Sequence, residues 1–241
     1  MSQPASLNEI FSSIQGEGKY VGERQIFIRL AGCNLNCRYC DSPLALRVSQ
    51  VTTPLDEILQ KVDALHNNRS LHKSVSITGG EPLLQVDFLK GLIPELKKKG
   101  LLTYLETNGV LPNHLEEIIP LIDIVSLDYK LVSATGLSDY SKETGKSIEV
   151  SSIAKKSGYL RDYFIKAVFT KETKAKEIDE MSAIISGIDE DAELFLQPVT
   201  PHGEVKHRPD AEKIMSLQAV AKRKLKNVRV IPQIHKLLGL A

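Results

Sequence analysis

Cys33, Cys37 and Cys40 are the only cysteines in this chain of 241 residues, and they fall within eight positions at the spacing Cys-x3-Cys-x2-Cys. Thiolates are soft ligands suited to iron and zinc. Three of them on one short loop cap three corners of a [4Fe–4S] cube and leave the fourth iron open to a small molecule. A zinc site completed by a histidine is the competing reading, for which the nearest downstream histidine is His66. Three cysteines cannot all pair with one another, so the group reads as a metal site in a reducing compartment, the cytoplasm.

Other polar and glycine-rich groups recur at the ends of apolar runs. Thr78-Gly79-Gly80-Glu81-Pro82, Glu106-Thr107-Asn108-Gly109, Ser126-Leu127-Asp128-Tyr129-Lys130 and Gln197-Pro198-Val199-Thr200 each close a segment rich in branched residues, and Gln15-Gly16-Glu17-Gly18 precedes the first of these segments. Taken singly, Gly-Gly and Asn-Gly are turns and Lys130 is a solvated loop residue. Taken together, they are a set of loops that a parallel sheet brings to one face.

The elements that would position them alternate. Strands are expected at 25–30, 74–78, 101–107, 122–127, 163–169, 193–197 and 228–231. Helices are expected at about 55–66, with Thr53 as N-cap and Pro54 opening the first turn, then at 85–99, 112–119, 174–185 and 209–225. Residues 1–24 read as a polar N-terminal segment, and 131–160, rich in Ser, Lys, Thr and Gly, as an irregular insertion with one helix at most. Repeated β–α alternation implies parallel strands. Both an open sheet and an incomplete barrel fit. The clustering of unusual residues at strand C-termini favours a partial (β/α)6-type TIM barrel, as does the lack of a Gly-x-Gly-x-x-Gly turn after the first strand.

Composition narrows the partners. Apolar residues make up 42% and charged residues 25%, and 31 basic against 30 acidic residues leave a net charge of +1. That balance argues against nucleic acid or an anionic membrane surface as partner. No run approaches the roughly 18 apolar residues of a membrane span, and the first ten residues lack the pattern of a secretory signal.

Cys33-x3-Cys37-x2-Cys40, with Tyr39 before the last cysteine, resembles the signature of the radical S-adenosylmethionine (SAM) superfamily, and Gly79-Gly80-Glu81-Pro82 resembles its second motif. Within that superfamily the chain resembles the 7-carboxy-7-deazaguanine synthases along almost its whole length. The matching pieces include Ile14-Gln15-Gly16-Glu17-Gly18, Phe27-x-Arg29, Cys40-Asp41-Ser42, Glu106-Thr107-Asn108-Gly109, Gln197-Pro198 and Pro232-Gln233-x-His235-Lys236.

The resemblance implies one radical SAM domain over 1–241, with residues 1–24 binding substrate and the tail 232–241 folding into the active site. The implied activity is a lyase that turns 6-carboxy-5,6,7,8-tetrahydropterin into 7-carboxy-7-deazaguanine, with loss of ammonia, for queuosine-type 7-deazapurines. It implies a [4Fe–4S] cluster on Cys33, Cys37 and Cys40, and Mg²⁺ on Ser42. SAM contacts would come from Tyr39, Gly80, Ser126, Lys130, Gln197, Pro198, Val199 and Thr200. Substrate contacts would come from Ile14, Gln15, Gly16, Arg29, Thr78, His235 and Ala241. Arg29 suits a carboxylate, and the Gln15 amide offers a donor and an acceptor to a pterin edge. A flavodoxin or ferredoxin as reductant and a homodimer are also implied. Two alternatives are an activase that makes a glycyl radical on a partner enzyme and a non-catalytic metal-binding interaction module. The activase shares the cysteine loop but leaves both chain ends unexplained.

Overall fold

The computed structural model describes residues 3–47, 51–68 and 71–240. Its centre is a nine-stranded sheet. The strands are β1 (Ala5–Ile14), β2 (Arg24–Leu30), β3 (Thr52–Thr53), β4 (Ser74–Gly79), β5 (Leu102–Thr107), β6 (Ile124–Asp128), β7 (Asp162–Phe169), β8 (Glu193–Pro198) and β9 (Asn227–Val230). The order is β3-β1-β2-β4-β5-β6-β7-β8-β9. From β2 to β9 every neighbouring pair is parallel, whereas β1 runs antiparallel to both β2 and β3. The first and last strands in that order are edges, so the sheet does not close on itself, and its inward-facing side chains enclose one cavity, as expected of an incomplete barrel.

The crossovers between parallel strands are helical: α1 (Leu55–Leu65), α2 (Val86–Lys98), α3 (Pro112–Ile118), α4 (Val132–Thr135) with α5 (Ser141–Lys156), α6 (Ala175–Ile188) and α7 (Ala211–Ala221), and α8 (Ile234–Leu237) ends the chain. Strand side chains alternate between faces. Ile26, Ile28, Leu30, Val75, Ile77, Leu105, Val125, Leu127, Ile165, Ala167, Leu194 and Leu196 point outward into the helix-covered core. The alternate positions face the barrel interior. Its lower layer is aromatic and apolar, Tyr104, Ile124, Phe164 and Phe195, with Tyr20 packed on it. Above that layer the inward positions turn polar: Arg29, Thr78, Glu106, Asp128, Lys166 and Gln197 all reach one cavity.

Three expectations are corrected. Residues 1–24 are not merely a polar lead-in, because Ala5–Ile14 forms a ten-residue strand. A strand at the rim, half-exposed along its length, needs no apolar run to be held by its backbone ladder to β2. Thr53 is not a helix cap; Thr52 and Thr53 pair with Ser6 and Ala5, and Pro54 occupies the cap position with no side-chain hydrogen bond. Residues 131–160 are not irregular, since α5 alone spans 16 residues. Apart from Ile148, its buried face is made of small and hydroxyl residues, Thr144, Gly145, Ser147, Ser151, Ser152 and Ala154. Ser147 Oγ donates to Gly109 O at 2.8 Å, and Ser152 Oγ to Asp189 Oδ2 at 2.8 Å. A helix that buries serines shows little apolar period.

The loop between β1 and β2 plugs the lower end of the barrel. Tyr20 donates to Asp162 Oδ2 at 2.9 Å, while Lys19 and Lys155 each lie 2.7 Å from that carboxylate. Burial opposes the charge of Asp162, but the hydrogen bonds from Lys155, Lys19 and Tyr20 hold its carboxyl below the usual range. A depressed carboxylate contributes stability that is fully present above the ordinary value of about 3.9 and is lost as pH falls through the native value. The urea midpoint should therefore fall on acidification below about pH 4. Asp162→Asn should be less stable at pH 7 and show a shallower acid dependence. Parallel acid profiles for the two proteins would remove Asp162 from this role.

Candidate functional site

A cavity of about 560 Å³ opens where the C-terminal ends of the parallel strands meet. Cys33, Cys37 and Cys40 line it, all three half-buried and free of disulfides. Burial pushes all three thiols up from their ordinary value. Among the described residues no three His, Cys, Asp or Glu side chains are grouped to hold one metal ion. A mononuclear zinc site needs such convergence, whereas a cubane takes one thiolate from each of three irons.

Backbone contacts between neighbouring strand-end loops hold the cysteine loop. Gly80 N–H donates to Leu30 O at 3.1 Å, Glu81 N–H to Gly32 O at 2.8 Å, and Gly32 N–H to Ala45 O at 2.8 Å. A Cβ on Gly80 would lie 2.2 Å from Gly32 O and 2.5 Å from Ala45 O. Glycine is thus required there by the approach of one loop to the other. The fully buried Glu81 carboxylate accepts from Leu83 N–H at 3.0 Å, Thr107 Oγ1 at 2.9 Å and Asn108 N–H at 2.7 Å. Burial pushes it up to about 7 against the pull of those donors. Asn108 Nδ2 then donates to Asn34 Oδ1 at 2.8 Å, so the ends of β4 and β5 both grip the cysteine loop.

A network of buried charges crosses the floor of the cavity. Lys166 is ion-paired with Glu17 and lies 3.2 Å from Asp128, which also pairs with Lys130 at 2.7 Å. Glu17 Oε1 accepts from Gln197 Nε2 at 3.1 Å and from Gln233 Nε2 at 2.7 Å. Burial opposes both charges of the pair; Lys166 nonetheless draws the Glu17 carboxyl below its ordinary value, and Asp128 and Glu17 hold Lys166 well above its own. Glu106 is pushed up by burial. It accepts from Gln15 Nε2 at 2.9 Å, Ser76 Oγ at 3.0 Å and Thr78 Oγ1 at 3.3 Å.

The two chain ends meet at this floor. Ile234 N–H donates to Gly16 O at 2.9 Å. A Cβ on Gly16 would lie 2.0 Å from His235 Nδ1, so the tail packs directly on the Gln15–Gly18 turn. Lys236 lies 3.4 Å from Asp41.

Of the residues singled out from the sequence, Ile14, Gln15, Gly16, Arg29, Tyr39, Ser42, Thr78, Gly80, Lys130, Gln197, Val199, Thr200 and His235 line the cavity with the cysteines. Ser126 and Pro198 do not. Ser126 is buried in β6, hydrogen-bonded to Tyr104, and Pro198 is the last residue of β8. Ala241 lies outside the described residues. The Gln15 amide offers no free edge, because Nε2 donates to Gln25 and Glu106 and Oε1 accepts from Glu17 N–H. Arg29 stands over the Phe11 ring at 5.4 Å, with Nε 2.9 Å from Glu9 and Nη1 donating to Ser42 Oγ at 2.8 Å. Tyr39 packs on Val168, Val199 and Val205, with Lys130 Nζ 5.8 Å from its ring centre.

Glu17, Asp128 and Gln233 stand in motifs read from the sequence but without a role there, and Lys166 stands in none. One signal was available: Lys166 is the only charged residue inside the buried run Tyr163–Phe169, and a lone charge in a buried strand demands partners.

The Radical SAM superfamily profile matches residues 27–180. The 7-carboxy-7-deazaguanine synthase of Geobacter sulfurreducens is 40% identical over 99% of both chains, and that of Methanocaldococcus jannaschii 37% identical over 97% of this chain and 99% of its own. Among solved structures, QueE from Escherichia coli superposes with a TM-score of 0.58 at 20% identity, covering 94% of this chain and 93% of its own. At that identity the superposition speaks for the fold.

Lys166→Met would leave Glu17 without its buried cation, while Asp128 keeps Lys130. Loss of one partner of such a pair costs about 3–5 kcal/mol, read as a fall in the urea unfolding free energy. Adding Glu17→Gln should recover part of it. A double variant as unstable as the sum of the two single variants would show that the pair is not coupled.

Proposed function

The chain belongs to the radical SAM superfamily and, within it, to the 7-carboxy-7-deazaguanine synthases, and from that premise we propose how its residues carry the reaction. It is a lyase that converts 6-carboxy-5,6,7,8-tetrahydropterin to 7-carboxy-7-deazaguanine with release of ammonia, in 7-deazapurine biosynthesis. The observation behind this reading is that family identity runs through both chain ends, and both ends meet at the cavity that the cysteines line. No observation favours the activase alternative.

The donor set suits the cofactors. Cys33, Cys37 and Cys40 would hold the [4Fe–4S] cluster, leaving one iron for SAM. When bound, cluster and SAM together supply the hydrogen-abstracting radical. Tyr39, Gly80, Lys130, Gln197, Val199 and Thr200 would form the SAM wall, with Ser126 and Pro198 in the strands that carry it. Ile14, Gly16, Thr78, Arg29 and His235 would hold the pterin, and Ala241 is assigned there by family resemblance. Gln15 shapes the turn through its main chain while its amide braces Glu106.

Arg29 and Ser42 would share the substrate carboxylate. Nη1 of Arg29 donates to Ser42, whereas Nε, 2.9 Å from Glu9, completes no hydrogen bond, so the guanidinium keeps donors for a ligand carboxylate. Mg²⁺ takes oxygen ligands and keeps several waters, which suits a hydroxyl such as Ser42 Oγ. A guanidinium 2.8 Å from that hydroxyl repels a cation. A bound carboxylate offsets both positive charges, so Mg²⁺ and substrate would enter together.

No helix among the described residues is long and apolar enough to cross a membrane. We place the protein in the cytoplasm, as a homodimer reduced by a flavodoxin or ferredoxin and without nucleic acid as partner; cysteine usage, charge balance and family resemblance support this.

Anaerobically reconstituted protein, given SAM, reductant, Mg²⁺ and carboxytetrahydropterin, should form the deazaguanine product by mass spectrometry, and Cys37→Ala should lose both the iron chromophore and all turnover. SAM cleavage without the product would refute the substrate assignment. Ser42→Ala should flatten the dependence of rate on Mg²⁺ concentration, and the wild type should take up Mg²⁺ in calorimetry only with the carboxylate ligand present. Equal Mg²⁺ binding with and without that ligand would contradict the shared site.

A further inference from the structure

Gln233 has one amide with all its hydrogens committed. Nε2 lies 2.7 Å from Glu17 Oε1 and 3.3 Å from Asp41 Oδ2. Carboxylates only accept, so the NH₂ group must face them and the amide cannot be turned the other way. Both carboxylates are themselves pinned, Glu17 by Lys166 and Asp41 by Lys236. The carbonyl oxygen of Gln233 is not among the sealed, unpartnered polar atoms, and no described group donates to it. Gln233 lines the cavity. The result is a fixed, accessible acceptor beside two carboxylates, a position that favours a hydrogen-bond donor and disfavours another acceptor.

We propose that Gln233 is a specificity-determining residue whose Oε1 accepts a hydrogen bond from an N–H of the aminopyrimidinone ring of the bound pterin. The proposal rests on the function assigned above. Its two anchors adjoin the substrate side: Glu17 follows Gly16, and Asp41 precedes Ser42. Glu17 and Asp41 act as positioning residues, since they decide which end of the amide meets the ligand. A site that pairs a ligand N–H discriminates strongly against analogues lacking it, because its own acceptor is then left unpaired.

The test measures binding to the cluster-loaded protein by calorimetry, with SAM, with 7-carboxy-7-deazaguanine, and with analogues of the latter that each lack one donor through 2-deamination or ring N-methylation. Wild type should bind the parent compound about tenfold tighter than at least one analogue, as expected for one hydrogen bond. Gln233→Met should narrow that gap to less than about twofold and leave SAM affinity unchanged. Gln233→Ala repeats the comparison should the longer side chain disturb the tail. An unchanged gap for every analogue overturns the proposal. So does an equal loss for parent and analogues, which would mark Gln233 as a tail anchor only, or a loss confined to SAM. Wild type that binds neither SAM nor the deazaguanine would instead refute the functional reading itself.

Discussion

The buried pair between Glu17 and Lys166 joins parts of the chain 149 residues apart and carries the rest of the site with it. Glu17 belongs to the turn after β1, and Lys166 to the middle of β7. Through Gln197 and Gln233 the same carboxylate also reaches the end of β8 and the tail. Two desolvated charges are costly unless other groups complete their coordination. Here two amides and Asp128 do so. The same groups form the floor on which a ligand must rest, so stability and site geometry depend on one set of contacts.

The rim works by a different principle. The cysteine loop is held by main-chain hydrogen bonds to the Gly79–Glu81 turn and by the Glu81 carboxylate, which caps the loop after β5. These contacts need a close approach of backbones, and Gly80 is the residue that permits it. Rigid main chain positions the three thiols, with Cys33 Sγ also accepting from Leu35 N–H at 3.4 Å. Asp41 and Ser42, next along the same loop, then face the tail and Arg29.

Much of the architecture was legible because the parallel strands are short runs of branched and aromatic residues closed by polar and glycine-rich groups at their C-terminal ends. That pattern located every parallel strand to within two residues. It failed for α5, whose buried Ser147, Ser151 and Ser152 satisfy their hydroxyls by hydrogen bonds instead of adding apolar area. It failed for β1 as well, since half-exposed rim positions carry no alternating signal. Within the site, Gln15 was legible as a participant but not in its role: a side chain with donors and an acceptor looks free until its partners, Gln25, Glu106 and Glu17, are placed around it.

By itself the sequence determined the chemistry on offer: three thiols at cubane spacing, a Gly-Gly turn after a strand, and an arginine and a serine flanking the cysteine loop. Those are local properties of residue type and spacing. The tertiary structure alone decided which distant groups share a cavity, namely Glu17 with Lys166 and the two chain ends with each other. It also decided the direction in which each amide faces. Such pairings arise from strand register and loop closure, where residues more than a hundred positions apart are set within hydrogen-bonding distance, and no local pattern records that separation.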